Sequence, residues 1–329
     1  MSAAVNAGGK PVLAPLSENE LAMTKANIRP LMKRHLFHPS GSLFVYPAQS
    51  SITGIRHSLH WITKAHKSGW HVMLDVSTLL PTGTLDLLHH QPDFVVGSFQ
   101  NMVGYPSGMG FLLVKRSSFC VNQSPLMNSI TLTPKAAPTQ GKDCHIICED
   151  NSLSFLLFAG LNLGLQHLQT VGLNIINKRV RSLAVWIVQN LKALRHKDPD
   201  DWHLVNVYSP YSSETRGNII SFNVLDCTGE YIMPELVQKL ASRQQITLGV
   251  GSFSNPGVAN LLGPVGDRVK DTSVFERSWD FKCVQVSLGP MSNFEDAYRL
   301  VQFLTRFRDQ DYVSMEALGY MEETHYSEE

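Results

Sequence analysis

From Leu43 onward, short apolar runs alternate with longer amphipathic stretches, and this alternation limits the fold more than any other feature of the chain. Residues 43–47 form an apolar run closed by proline. Residues 55–67 place Ile55, Leu59, Ile62 and Ala65 at helical spacing, and residues 72–75 form a second apolar run that ends in an acid. Runs this short, bounded by turn residues, read as buried strands, and the periodic stretch between them reads as a helix. Strand, helix and strand in that order build a layered α/β architecture around a largely parallel sheet. Residues 94–97 and 111–114 are two further strands, joined by a loop containing Gly104, Pro106, Gly108 and Gly110, whose glycines and proline suit tight backbone geometry.

Beyond this unit, residues 121–142 are polar, carry Pro125, Pro134 and Pro138, and read as a long surface loop. Residues 152–168 and 175–194 have helical period and length. Strands at 205–208, 219–224, 246–250 and 283–288, with helices at 233–241 and 294–306, make a second, smaller α/β unit. A short helix is expected within 16–34, starting near Ser17. Residues 309–329 are acidic, lack periodicity after Met315, and are expected to be a solvated tail.

Composition narrows the function classes. With 28 basic and 28 acidic residues the charges cancel, so no electrostatic footprint for nucleic acid or an anionic membrane is present. No apolar run is long enough to cross a bilayer, and the first residues lack the apolar core of a signal peptide. Five scattered cysteines (Cys120, Cys144, Cys148, Cys227 and Cys283) read as reduced thiols, so the expected compartment is the cytoplasm. His57 with His60, His89 with His90, and Cys144-His145 with Cys148 lack the spacing of a complete metal site, and no metal is expected. Asp75 sits where a strand runs into a loop, at the sheet edge where open α/β folds bind ligands; the same position also suits a simple turn cap. Ser98, ending the next strand, could donate to a phosphate or cap the turn, and its residue type suits both.

The stretch from Asp93 to Lys115 resembles the cofactor-lysine segment of class V aminotransferase-like enzymes. It is most similar to the desulfurase-like domain of molybdenum cofactor sulfurases, where the motif reads Ser-Phe-Tyr-Lys-(Ile/Met)-Phe-Gly-Tyr-Pro-Thr-Gly. The motif's lysine falls on Asn101. A second stretch, Gly251 to Ala259, resembles the loop that carries the persulfide cysteine. The family's three cysteines fall on Ser252, Ser254 and Ala259, with the persulfide position at Ser254, and the arginine opening the motif falls on Gly249. A third, Val284 to Ala297, resembles Val-Arg-Ile-Ser-Phe-Gly-Tyr-Met-Ser-Thr-Phe-Glu-Asp-Ala. Its substrate-carboxylate arginine falls on Gln285, while Ser292 or Asn293 still caps a helix whose first turn holds Glu295 and Asp296. Residues 149–156 and 217–226 extend the similarity, which runs in order over 43–308.

The resemblance implies a PLP-dependent transferase-like (aminotransferase class V) fold, mostly parallel in its main sheet, with a smaller C-terminal α/β domain and a truncated N-terminal part. The implied division is 1–42 without assigned role, 43–150 an incomplete large cofactor-type domain, 151–308 helices and the small domain, and 309–329 a tail. Family members carry a sizeable region ahead of the point matching Leu43, with the cofactor-phosphate loop and a stacking ring, and residues 1–42 are too short to hold it. The implied cofactor is pyridoxal phosphate, with Asp75 on its pyridinium nitrogen and Ser98 beside it. An amide such as that of Asn101 cannot form a Schiff base, a serine cannot hold transferable sulfur, and a glutamine cannot fork onto a carboxylate as an ion. The expectation is therefore a degenerate homologue without catalysis, a pseudoenzyme that works by binding, as a homo-dimer or as a hetero-dimer with a related protein. The alternative left open is an active pyridoxal-phosphate-dependent molybdenum cofactor sulfurase or lyase.

Overall fold

The structure, a computed structural model, describes residues 5, 8–17, 21–32, 42–104, 109–120, 155–196, 202–208, 215–251 and 282–326. The expected loop at 121–142, the family-like segment at 149–154, Pro106 and Gly108, and the loop 252–259 with Ser254 lie outside these residues.

The first unit begins with a one-turn helix, α1 (Lys25–Ile28), capped by Thr24. Of the helix expected within 16–34, only this turn is helical among the described residues: Leu21 adopts φ 51° and Ser17 N–H donates to Ala22 O, so the start expected near Ser17 is a turn instead. Strand β1 (Ser42–Pro47), helix α2 (His60–Lys67), strands β2 (Trp70–Asp75) and β3 (Phe94–Ser98), the short helix α3 (Phe99–Val103), strand β4 (Gly110–Val114) and helix α4 (Arg116–Cys120) follow. The sheet order is β1-β2-β3-β4, with β1–β2 and β2–β3 parallel. Strand β4 runs antiparallel to β3 because the connection 99–109 is too short for a crossover. Helix α2 buries Trp61, Ile62 and Ala65 against Tyr46, Val72, Leu74 and Val95 on one sheet face. Full burial of each large apolar side chain contributes about 1.5–3 kcal/mol.

The helix expected over 55–67 starts only at His60. Its first part is taken by a tight turn, in which Ser50 N–H donates to Ile55 O and Thr53 N–H donates to Ser50 Oγ. Gly54 adopts φ +67° there, and a Cβ on it would lie 2.2 Å from Ile219 O. The backbone of 50–56 thus docks on the second unit instead of continuing α2.

That unit contains helices α5 (Phe155–Val171) and α6 (Leu173–Ala193), strands β5 (Val205–Val207) and β6 (Ile219–Val224), helix α7 (Pro234–Arg243), strands β7 (Gly249–Gly251) and β8 (Cys283–Ser287), helix α8 (Phe294–Thr305), a 3-10 turn (Arg306–Arg308) and helix α9 (Gln310–Tyr326). Its sheet, in the order β5-β6-β8-β7, is antiparallel throughout. Every residue of β6 is buried. Helix α6 packs beneath it through Ile176, Val180, Leu183, Ile187 and Leu191, spaced at three and four residues. Asn293 makes the capping box of α8 with Asp296, which resolves the choice between Ser292 and Asn293.

Residues 310–326 are helical, which corrects the expectation of a solvated tail. Asp309 Oδ1 accepts from the backbone N–H of Asp311 and Tyr312 at 3.1 and 3.2 Å, Val313 is buried, Tyr312 meets the Phe307 ring, and Glu316 pairs with Arg243 at 2.7 Å. Val313, Ala317 and Tyr320, spaced at four and three residues, face the second unit's core, but the exposed Met315 and Leu318 on the other side hide this stripe in the sequence.

Candidate functional site

Because β1, β2 and β3 are parallel, their carboxyl ends share one edge, marked by Pro47, Asp75 and Ser98. Half-buried Asp75 accepts from Ser77 N–H through Oδ1 at 2.9 Å. Asn101, exposed on α3, donates through Nδ2 to Ser77 O at 3.2 Å. The short turn after β2 therefore links Asp75 and Asn101. Ser98 occupies the N-cap position of α3 but makes no side-chain capping bond, so its hydroxyl is not committed to the turn.

The second group of expected positions lies on the antiparallel sheet. Gly249 and Gln285 stand opposite each other in the β7–β8 ladder. Gln285 is 8% exposed, and its Nε2 donates to Ser51 O at 2.7 Å and to Ser221 Oγ at 3.1 Å. Ser221 Oγ in turn donates to Ile52 O at 2.5 Å. The amide at this position is consumed in holding the first unit's 50–56 turn.

Sequence reasoning missed Gln49. This side chain is fully buried just past the carboxyl end of β1. Its Nε2 donates to Asn218 Oδ1 at 2.7 Å and to Thr78 O at 3.0 Å, its Oε1 accepts from Arg56 Nε at 3.3 Å, and its carbonyl accepts from Thr78 Oγ1 at 2.6 Å. Asn218 also donates to Leu288 O at 3.1 Å. At Gly217 a Cβ would fall 2.1 Å from Gln49 Oε1, so the backbone must be bare there. The available signal was a glutamine directly after an apolar strand; nothing local marks such a residue as buried.

Arg56 donates to Asn177 Oδ1 on α6 at 3.3 Å, and burial, with Arg181 nearby, lowers its pKa. Burial pushes the neighbouring His57 down to about 4, so this imidazole is neutral near pH 7. Cys283, beside Gly251 at the start of the 252–259 loop, is buried, and its thiol is pushed up to about 11. A thiol so raised is not the thiolate that sulfur transfer requires.

At the opposite, amino edge of the sheet, buried Asp93 accepts from Ser118 Oγ at 2.5 Å, Val72 N–H at 2.8 Å, His66 Nε2 at 2.8 Å and His71 Nδ1 at 3.2 Å. Burial opposes its charge, but Ser118, the Val72 amide, His66 and His71 together hold the carboxyl well below the usual range. Among the described residues, no group of three or more His, Cys, Asp or Glu is placed to hold a metal ion. No described helix is long and apolar enough to cross a membrane.

An α/β unit whose parallel strands β1–β3 end on one edge, beside a second unit built on an antiparallel sheet, matches the frame of pyridoxal-phosphate-dependent transferases. The aminotransferase class V family model matches residues 24–300, and the chain belongs to that family. Among curated relatives, molybdenum cofactor sulfurase from Bos taurus is 32% identical over 81% of this chain and 33% of its own length. The Homo sapiens protein of the same name is 32% identical over 80% of this chain and 32% of its own. The chain thus spans about a third of these relatives. Among solved structures, a cysteine desulfurase from Thermococcus onnurineus NA1 superposes with a TM-score of 0.69 at 16% identity, covering 92% of this chain and 67% of that one. The cysteine desulfurase CsdA from Escherichia coli gives 0.67 at 18% identity, over 93% and 67%.

Proposed function

We propose that this chain is a non-catalytic relative of the desulfurase-like domain of molybdenum cofactor sulfurase that acts by binding. The supporting observation is that the side chains at the expected anchoring and carboxylate-binding positions are committed to the scaffold. The Asn101 amide donates to Ser77 O, and the Gln285 amide donates to Ser51 O and Ser221 Oγ. Asp75 and the uncommitted hydroxyl of Ser98 are compatible with a pyridine nitrogen and a phosphate, but an amide offers no amine to an aldehyde. These residues do not fit a covalently anchored pyridoxal phosphate, and no catalytic step through it is assigned. The absence of a membrane-length helix among the described residues and the reduced state of the described cysteines are consistent with a cytoplasmic protein.

The test is absorbance of the purified chain titrated with pyridoxal phosphate, with alanine release from cysteine measured in parallel. The expected result is no borohydride-sensitive aldimine band and no alanine. Asn101→Lys should gain the band if Asp75 and Ser98 still form a pocket. Alanine released by the unmodified chain would overturn the reading.

A further inference from the structure

At the amino edge of the first sheet, opposite the edge that holds Asp75 and Ser98, lies a cavity of about 450 Å³. His66 and Lys67 reach it from the last turn of α2, Leu88, His89 and Gln91 from the segment before β3, and Lys115 from the position just after β4. Lys115 is fixed by its backbone N–H, which donates to Asp93 O at 2.8 Å. Among the described residues no carboxylate lines the cavity, and neither the Lys67 nor the Lys115 ammonium has a hydrogen-bond or ion-pair partner. The two acids nearby are already engaged. Asp93 accepts from its four donors, and Asp86 accepts from His89 Nδ1 at 2.6 Å and from Leu88 N–H at 2.8 Å. Each acid holds one imidazole of the cavity, His66 by Nε2 and His89 by Nδ1. Cations in the last turn of a helix are ordinary, because they offset its dipole. That accounts for Lys67 but not for Lys115, which arrives from a strand.

We propose that this cavity binds a small phosphomonoester, with its phosphate between the Lys67 and Lys115 ammonium groups and its organic part against Leu88. Two compact charges on flexible stems suit a phosphate dianion, whereas a planar carboxylate is better met by the fork of an arginine. His66 and His89, each backed by a carboxylate, add an N–H donor through the second ring nitrogen when protonated. The volume falls within the roughly 300–1,000 Å³ of small-molecule sites, which leaves room for more than the phosphate. Leu88, 85% exposed, gives the remainder an apolar contact. A concave site favours a small molecule over an anionic lipid surface or nucleic acid, which call for a broad basic face that a chain with 28 acidic and 28 basic residues does not imply. This site is remote from Asp75, Ser98 and Asn101 and does not depend on whether the carboxyl edge is catalytic.

Isothermal titration calorimetry of the full chain with phenyl phosphate and with inorganic phosphate tests the site. Phenyl phosphate carries no aldehyde, so its heat is read apart from any imine formation. One saturable site is expected, with phenyl phosphate bound at least about fourfold more tightly than inorganic phosphate, the worth of roughly one buried CH₂. Lys67→Gln and Lys115→Gln should each weaken both ligands about tenfold or more, since each removes a charged donor. Leu88→Asn should bring phenyl phosphate down to the affinity of inorganic phosphate. Lys178→Gln, at an exposed residue of α6, should change neither. Lys67 and Leu88 are exposed, so their variants keep the fold, which circular dichroism checks. No saturable heat with either ligand, binding unchanged by Lys67→Gln, or an equal loss with Lys178→Gln would overturn the proposal. So would binding to phosphatidate vesicles or to a phosphoserine peptide without binding of phenyl phosphate.

Discussion

At the scale of single residues, several polar side chains have their hydrogen-bonding capacity absorbed by the scaffold. Gln285→Ala removes the hydrogen bonds that this amide donates to Ser51 O and Ser221 Oγ. Each hydrogen bond lost costs about 0.5–1.5 kcal/mol, so a lower urea midpoint with unchanged slope is expected. Two titrations set the acid limit of stability. His57 has its folded pKa depressed from 6.5 to about 4, so the unfolded chain binds the proton more readily. Stability is full above about pH 6.5 and falls as pH drops toward 4, by on the order of 3 kcal/mol at most. Asp93 is depressed further, so its contribution is present above the ordinary carboxylate pKa of about 4 and is lost as pH falls below that, through its folded value. Urea unfolding measured against pH should therefore weaken in two windows. His57→Asn should flatten the upper one, and Asp93→Asn the lower, with about 3 kcal/mol or more lost near neutrality.

At the scale of elements, strands were the most legible features. Apolar runs bounded by Pro, Gly and Asp located β1, β2, β3, β4, β6 and β8 to within a residue or two, because a buried strand needs little beyond its own side chains. Boundaries failed where tertiary contacts override local pattern. Ile55 has helical spacing relative to Leu59 and Ile62, yet Gly54 adopts a left-handed backbone and turns the segment onto β6. Gly54→Ala should destabilise the fold by well over about 1–2 kcal/mol, combining the left-handed penalty with a steric clash, and differential scanning calorimetry would show the drop. Helix α9 was missed for another reason: exposed Met315 and Leu318 obscure the weak stripe of Val313, Ala317 and Tyr320 that packs on the core. Asp309→Ala should lower stability by about 1 kcal/mol and reduce helical ellipticity.

At the scale of the molecule, the fold family was readable because several motifs lie in one order along the chain, and the match over residues 24–300 supports it. The site was half readable. Asp75, Ser98 and Asn101 do share one edge, but Gln49 and the use made of Gln285 depend on side chains distant in sequence, which no local pattern encodes. Gln49→Ala removes the side chain joining Thr78, Arg56 and Asn218 and should uncouple the two units. Chemical unfolding followed by near-ultraviolet and far-ultraviolet circular dichroism should then separate into two transitions where the parent shows one.

The docked turn at 50–56 also constrains the order of folding. Its partners arrive late in synthesis: Ser221, whose hydroxyl donates to Ile52 O, lies 169 residues further on. Closing so large a loop is entropically unfavourable until β6 and β8 already offer their edges, so this seam assembles after both units have taken shape. The amide hydrogens of Arg56 and Gly217, bonded across it to Thr215 O and Gly54 O, should be among the last to gain protection in a refolding pulse-labelling experiment.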